Sequence, residues 1–298
     1  YLTPKILFHG KLILKMNNQT KGLLITGIGV LAVIPDSLII RLVDEATMTV
    51  VFWRAALSGI AITTFLIITR GPKSMMSFSW PALLFAGFYA INGILYVVAL
   101  SLTTVAATVF LLAVAPVWAL IISRIFLKEP FTIRMIVTVF LTLAGIGVIA
   151  LGSSISFGAI LGNLAALGAA ISLATAFTIA RSSPDISMIP ATALSYWIAT
   201  IAVVPFVASY TLEAADWPKM LILGGALLPL ATCLMAIGPR YITSAEVGLF
   251  IVLESIFAPI LVWYVLGENP GPTAIIGGII VLLVLTVSNI IGLRTKIR

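Results

Sequence analysis

Apolar residues in this chain neither alternate nor recur at amphipathic spacing. They run on. From Lys21 to the end, long apolar stretches are separated by brief polar or charged breaks. Ten such runs stand out, at roughly 21–41, 46–70, 78–100, 103–127, 131–151, 156–181, 187–211, 217–238, 241–266 and 271–293. Each is close to the ~20 residues a helix needs to cross ~30 Å of hydrocarbon. The longer ones allow tilt. Strands could span only as a closed barrel with alternating patterning. The continuous runs therefore predict an all-α integral membrane fold of ten transmembrane helices joined by very short connections.

Composition agrees and narrows the chemistry. Of 298 residues, 61% are hydrophobic and 9% charged, against about a quarter charged in a soluble domain. The mean hydropathy is +1.21. The one cysteine, Cys233, excludes an intrachain disulfide. With one histidine, His9, zinc, haem and histidine-based catalysis have no ligand set, so no cofactor is expected. Residues 1–15 (YLTPKILFHGKLILK) precede Met16 and read as a tag remnant or upstream extension outside the fold. The net charge of +7 is a topology signal, with no nucleic-acid partner implied. On ten spans, every Lys and Arg except Arg41, Arg54 and Lys219 falls on the side of the two termini. That bias predicts cytoplasmic termini.

The chain also repeats itself. TVAATVFLLAVAPVWALIISRIFLKEP, from Thr104, aligns with TSAEVGLFIVLESIFAPILVWYVLGEN, from Thr243. Ala106 meets Ala245, Ala119 meets Ala258, and Glu129 meets Glu268. The expected units are residues 16–152 and 153–298, with five spans each. An odd number inverts the second half in the membrane, a hallmark of secondary transporters. The GIGVLA and GIGVIA stretches lie inside apolar runs with no strand before them. They read as helix packing, not as phosphate-binding loops. Glu129 and Glu268, at equivalent helix exits, read as caps or turn holders.

At this level the chain resembles the EamA type of the drug/metabolite transporter superfamily. The resemblance runs from Gly22 to about Gly292 and rests on PDSLIIRL, VFWRAALSG, VAPVWALIISRIFLKEPFT and RYITSAEVGLFIVLESIFAPILVWYVLGENP. It implies export or exchange of small organic solutes across a bacterial inner membrane. The family often carries Glu-Pro in its ninth span. Here Ser255 follows Glu254, while Pro116 holds the equivalent place in the first half.

Charges inside spans are costly and usually face a cavity or a partner. Four occur: Asp36, Arg54, Glu246 and Glu254. Asp36 follows Pro35, which removes a backbone donor and breaks the helix. Asp36 and Arg54 sit at similar depth on neighbouring spans. They form either a neutralising pair or a guanidinium fork for a substrate carboxylate with Asp36 as resting partner or gate. Glu246 and Glu254 are eight residues apart in the ninth run, two levels of one broad face. They are candidate stations for a proton or a cationic group, or structural acids. Tyr89, Asn92 and Tyr96 share a face in the third run, as a substrate wall or as helix glue. Trp53, Trp118 and Trp197 lie inward of the usual aromatic belt and are candidate cavity walls. Asn163 is a weaker candidate.

These features predict a secondary transporter of small polar metabolites, such as amino acids or related organic acids. Its site would lie at the midplane between the halves. There is no GxxxxGK[ST] motif, so a gradient would drive it, with protons as candidate coupling ion. Its partners would be a small-molecule substrate and the bilayer, as monomer or homodimer. A nucleotide-sugar or phosphorylated-sugar exchanger would need more cavity cations than Arg54. A receptor or assembly subunit would not require buried charges. An intramembrane enzyme lacks a nucleophile and base.

Overall fold

The computed structural model describes residues 18–72, 79–127, 133–152, 157–183, 185–237, 241 and 244–296. It is all-helical, and the described residues contain no strand. Span 1 consists of Asn18–Val33 and Asp36–Leu42, span 2 of Thr47–Arg70, and span 3 of Trp80–Leu102. Span 4 is Val105–Leu112 and Ala115–Leu127, and span 5 is Ile133–Gly152. The second half repeats the order: span 6 Phe157–Ser182, span 7 Ile189–Val203, span 8 Trp217–Ile237, span 9 Ser244–Leu266 and span 10 Pro272–Lys296. Seven of these meet the length and hydropathy of a membrane crossing over their described residues. The other three show shorter apolar stretches, Ile136–Ile149, Leu253–Leu266 and Pro272–Ser288. Large apolar side chains point outward along the bundle, among them Ile68, Phe140, Ile201 and Leu283. A water-soluble surface would not carry so much contiguous apolar area; lipid requires it.

Proline explains most of the irregularity. The ring removes a donor and clashes with the preceding turn. Span 1 breaks at Ile34–Pro35, and span 4 breaks just before Pro116. In span 8 a π turn at Leu223–Leu227 comes directly before Pro229. Span 9 keeps its helix through Pro259. Span 7 is shorter than the apolar run that contains it. Its α-helix gives way at Val204–Phe206 to a 3-10 turn around Pro205, and residues 207–216 form a connection outside the helix. Gly71 and Gly267 end spans 2 and 9 at φ 77 and 69. A left-handed residue there lets the backbone amide reach back to the last turn, onto Ile67 O and Trp263 O.

With ten crossings both ends of the bundle's chain lie on one face, here the termini face, opposite the far face. Residues at the ends of spans 1, 3 and 9 do meet: Arg41 Nη2 donates to Thr103 O at 2.6 Å and faces Glu268. The main apolar core lies toward the far face. It joins Leu38, Val50, Leu100, Val105, Val203, Met220 and Val262. Spans 5 and 10 cross where Gly145 and Gly277 leave no room for a side chain: a Cβ on Gly277 would sit 2.7 Å from Gly145 O. Gly27 and Gly29 pack less tightly, where a Cβ would lie 3.2 Å from the Phe250 ring and 3.3 Å from Ala231 O. GIGVLA and GIGVIA are packing surfaces.

Candidate functional site

The break in span 1 presents Asp36 on the first turn of a short helix, facing span 2. Arg54 answers it side-on, with two of its five N–H donors. Nε donates to Oδ1 at 3.1 Å and Nη2 to Oδ2 at 2.6 Å. Both residues are buried, at 3% and 7% exposure, which makes this a charge-assisted bidentate bond in low dielectric. The Tyr96 ring lies 5.7 Å from the guanidinium carbon, within cation–π range. Arg54 is held from behind as well. Ser58 Oγ lies 2.8 Å from Arg54 O and 3.0 Å from Gly224 O, in the π turn of span 8. A Cβ on Gly224 would come within 3.1 Å of Arg54 O. The π turn thus lets span 8 close on span 2 at the level of the guanidinium.

Around this pair stand three phenols. Tyr89 stacks on Phe85 at 5.4 Å and meets the edge of Tyr196 in span 7 at 6.4 Å. Tyr89 and Tyr96 lie in the electrostatic fields of Asp36, Arg54 and Glu254. Tyr196 lies in those of Arg54 and Asp36. Glu254, in span 9, feels the charge of Asp36. Among the described residues no ion pair or hydrogen bond holds the Glu254 carboxyl. The structure thus gathers Asp36, Arg54, Tyr89, Tyr96, Tyr196 and Glu254 from spans 1, 2, 3, 7 and 9. The charge balance is two carboxylates against one guanidinium; Asp36 engages its Nε and Nη2, and the Nη1 arm carries the remaining donors.

Several other candidates are committed elsewhere. Trp53 points away from Arg54, because consecutive helix residues diverge. Its Nε1 donates to Tyr210 O at 2.9 Å, and its ring packs edge-on against Phe52 and Trp217 beneath the 207–216 connection. It is far-face packing and not a wall of this cluster. Asn92 shares the Tyr89 and Tyr96 helix but gives its amide to Ala169 O at 3.1 Å, tying span 3 to span 6. Asn163 accepts from Thr103 Oγ1 at 3.1 Å near the far face. Trp197 donates to Thr63 Oγ1 at 3.0 Å and lies on Gly59, at the interface of spans 2 and 7. Trp118 packs against the alanines of spans 4 and 6, with its Nε1 buried and without a hydrogen-bond partner among the described residues. The Glu246 side chain lies outside the described residues, as does Glu129.

Two features escape sequence reasoning. Tyr196 is overshadowed by the neighbouring Trp197; its phenol in mid-span was the available signal. The Arg41–Glu268 pair lies at helix ends, where charges are unremarkable. There Glu268 Oε1 accepts the backbone amide of Val105 at 2.7 Å. The expected cap is therefore real, but it caps a helix of the other half.

The EamA-like transporter family model matches the chain twice, over residues 21–151 and 160–290. The chain belongs to the EamA-like transporter family. The two matches coincide with the five-span halves, so the fold is two inverted repeats of one unit. No curated protein sequence matches this EamA-like chain. A solved structure described only as "Crystal structure of protein" superposes with a TM-score of 0.66 at 17% identity. The match covers 93% of this chain and 99% of that one. It supports the fold alone. This EamA-like protein is a multi-pass membrane transporter of the drug/metabolite type.

Proposed function

We propose that this transporter is a secondary active carrier that moves small polar metabolites bearing an amine, amino acids among them, out of a bacterial cell. The single observation behind this reading is the Glu254 carboxyl, which no ion pair or hydrogen bond holds among the described residues, in one cluster with the bonded Asp36–Arg54 pair. An incoming cationic group meets one free carboxylate and the π faces of Tyr89, Tyr96 and Tyr196. An anionic group would have to share the guanidinium with Asp36, whose carboxylate already neutralises its charge. A proton on Glu254 competes with the amine for the same carboxylate, and that competition couples flux to a proton gradient. Multiply charged anions such as nucleotide sugars find no spare cation in the cluster, so the exchanger alternative is not favoured.

Alternating access would work across the seam between the halves. Toward the far face the seam holds an apolar core, the Arg41–Glu268 ion pair and cross-half bonds from Thr49 and Trp53. A second cross-half cluster joins Phe110, Val117, Ile149, Val281 and Leu285. In this reading the site opens alternately to the far face and to the termini face. The Lys and Arg bias makes that face cytoplasmic. Proline breaks in spans 1, 4 and 8 supply joints on which the halves rock.

The test is counterflow in proteoliposomes with labelled amines, amino acids and organic acids. Saturable exchange of amine-bearing solutes is expected. Exchange confined to organic acids would reverse the charge assignment, and no exchange of any class would sink the carrier reading.

A further inference from the structure

A cavity of about 580 Å³ opens on the far face, away from the Asp36–Arg54 cluster. It lies between the halves: Arg41, Ser101, Thr103 and Thr104 come from the first, Glu268 and Asn269 from the second. The size is that of pockets that hold small organic ligands. Its charged residues are a guanidinium and a carboxylate, partly exposed at 27% and 23%.

The bonding of that pair is incomplete. Arg41 Nη2 makes a short bond to Thr103 O at 2.6 Å and only a 3.5 Å contact to Glu268 Oε1. Nε stands 3.3 Å from Oε2 and has no hydrogen-bond partner among the described residues. The best bond of Glu268 goes instead to the Val105 amide, at 2.7 Å. Charge-assisted N–H···O bonds normally close to about 2.7–2.9 Å. The Asp36–Arg54 pair of the same molecule approaches this on one arm, at 2.6 Å. Arg41 and Glu268 therefore keep donor and acceptor capacity side by side at the wall of one cavity.

We propose that this cavity is a binding site for a small zwitterion, separate from the central cluster. The ligand carboxylate bonds Arg41 and its ammonium bonds Glu268, each charge meeting its opposite. A simple anion would face the Glu268 carboxylate, and a simple cation would face Arg41. A net-neutral ligand with its two charges one carbon apart avoids both repulsions. Thr103 and Thr104 lie on the polar side, their hydroxyls bonded to Asn163 Oδ1 and the Ala107 amide, and Leu102, Ile149 and Ala159 form an apolar wall for a side chain. Occupation would take Arg41 from Glu268 and weaken a tie between the halves.

The probe is L-leucine, with leucinamide and 4-methylpentanoate as single-charge analogues. Binding is measured by calorimetry on the full chain in phosphatidylglycerol nanodiscs, so that no zwitterionic headgroup competes. The Glu254→Gln protein is used to disable the central carboxylate. Saturable leucine binding is expected, at least tenfold tighter than either analogue, and reduced at least tenfold by Arg41→Gln and by Glu268→Gln. Ser101→Trp fills the mouth from an exposed position and leaves the ion pair intact; it should abolish binding in a protein that still unfolds cooperatively. Repeating the titration in phosphatidylethanolamine discs separates a free solute from a lipid headgroup as the source: weakened leucine binding marks the headgroup, unchanged binding the solute. No leucine binding in phosphatidylglycerol discs, equal binding of all three probes, or leucine binding that survives both Arg41→Gln and Ser101→Trp would overturn the proposal.

Discussion

Removing Asp36 while keeping Arg54 is the sharpest perturbation of the central cluster. In Asp36→Ala the guanidinium loses the partners of both its bonds, at 3.1 and 2.6 Å. It is 7% exposed in the native protein and keeps the Tyr96 ring at 5.7 Å. Breaking a buried pair from one side typically costs about 3–5 kcal/mol, because the remaining charge is uncompensated. At roughly 2–4 °C per kcal/mol for chains of a few hundred residues, the melting temperature should fall by about 6–20 °C. The assay is fluorescence-detected thermal unfolding in detergent. The companion variant carries Asp36→Leu with Arg54→Met. It removes both charges and should recover most of the loss, since apolar replacement of a buried pair is often neutral or better. It should nevertheless fail to transport, because the cluster around Glu254 has lost its charge pattern. A shift below about 2 °C for Asp36→Ala would refute the assignment of a buried, mutually dependent pair. A double variant as unstable as the single one would refute the energetic argument, and one that transports normally would reduce the pair to packing.

Other consequences are directly checkable. Glu254→Gln should leave the melting temperature unchanged or raise it, since no bond among the described residues holds the carboxyl and a neutral amide is cheaper to bury. Glu268→Ala strips the Val105 amide and Arg41 of their partner, and should lower stability by about 1 kcal/mol on the scale of a lost helix cap. Gly277→Ala sets a Cβ 2.6 Å from Ile149 Cγ1 and 2.7 Å from Gly145 O. It should cost about 1–3 kcal/mol by overpacking. Gly147→Ala meets nothing within 4 Å and should be neutral in the same thermal scan.

Much of the molecule is written in the chain, and the parts that are not have a common cause. Run length and hydropathy expose the spans because lipid admits few alternatives. Pro35 and Pro116 mark the breaks of spans 1 and 4 because a missing donor acts locally. Asp36, Arg54 and Glu254 stand out because a charge in an apolar run demands an explanation. What stays hidden is rotational: which side of a helix faces which neighbour. Trp53 and Arg54 are adjacent in sequence, yet one faces the 207–216 connection and the other the buried pair. Asn92 and Tyr96 share a helix face, yet the amide finds a carbonyl of span 6 and the phenol a guanidinium of span 2. Single-residue polarity cannot distinguish helix glue from cavity lining. The Glu268 cap on span 4 joins residues 163 positions apart, and no local pattern signals a contact of that range.

The central claim is that Glu254 is the free carboxylate at which an amine and a proton compete. The most direct measurement is amine-bearing solute flux in proteoliposomes with and without a pH gradient, comparing the native protein with Glu254→Gln. The account predicts gradient-driven flux in the native protein. In the variant it predicts loss of gradient dependence at unchanged thermal stability. Flux that is equally gradient-driven in Glu254→Gln would contradict it.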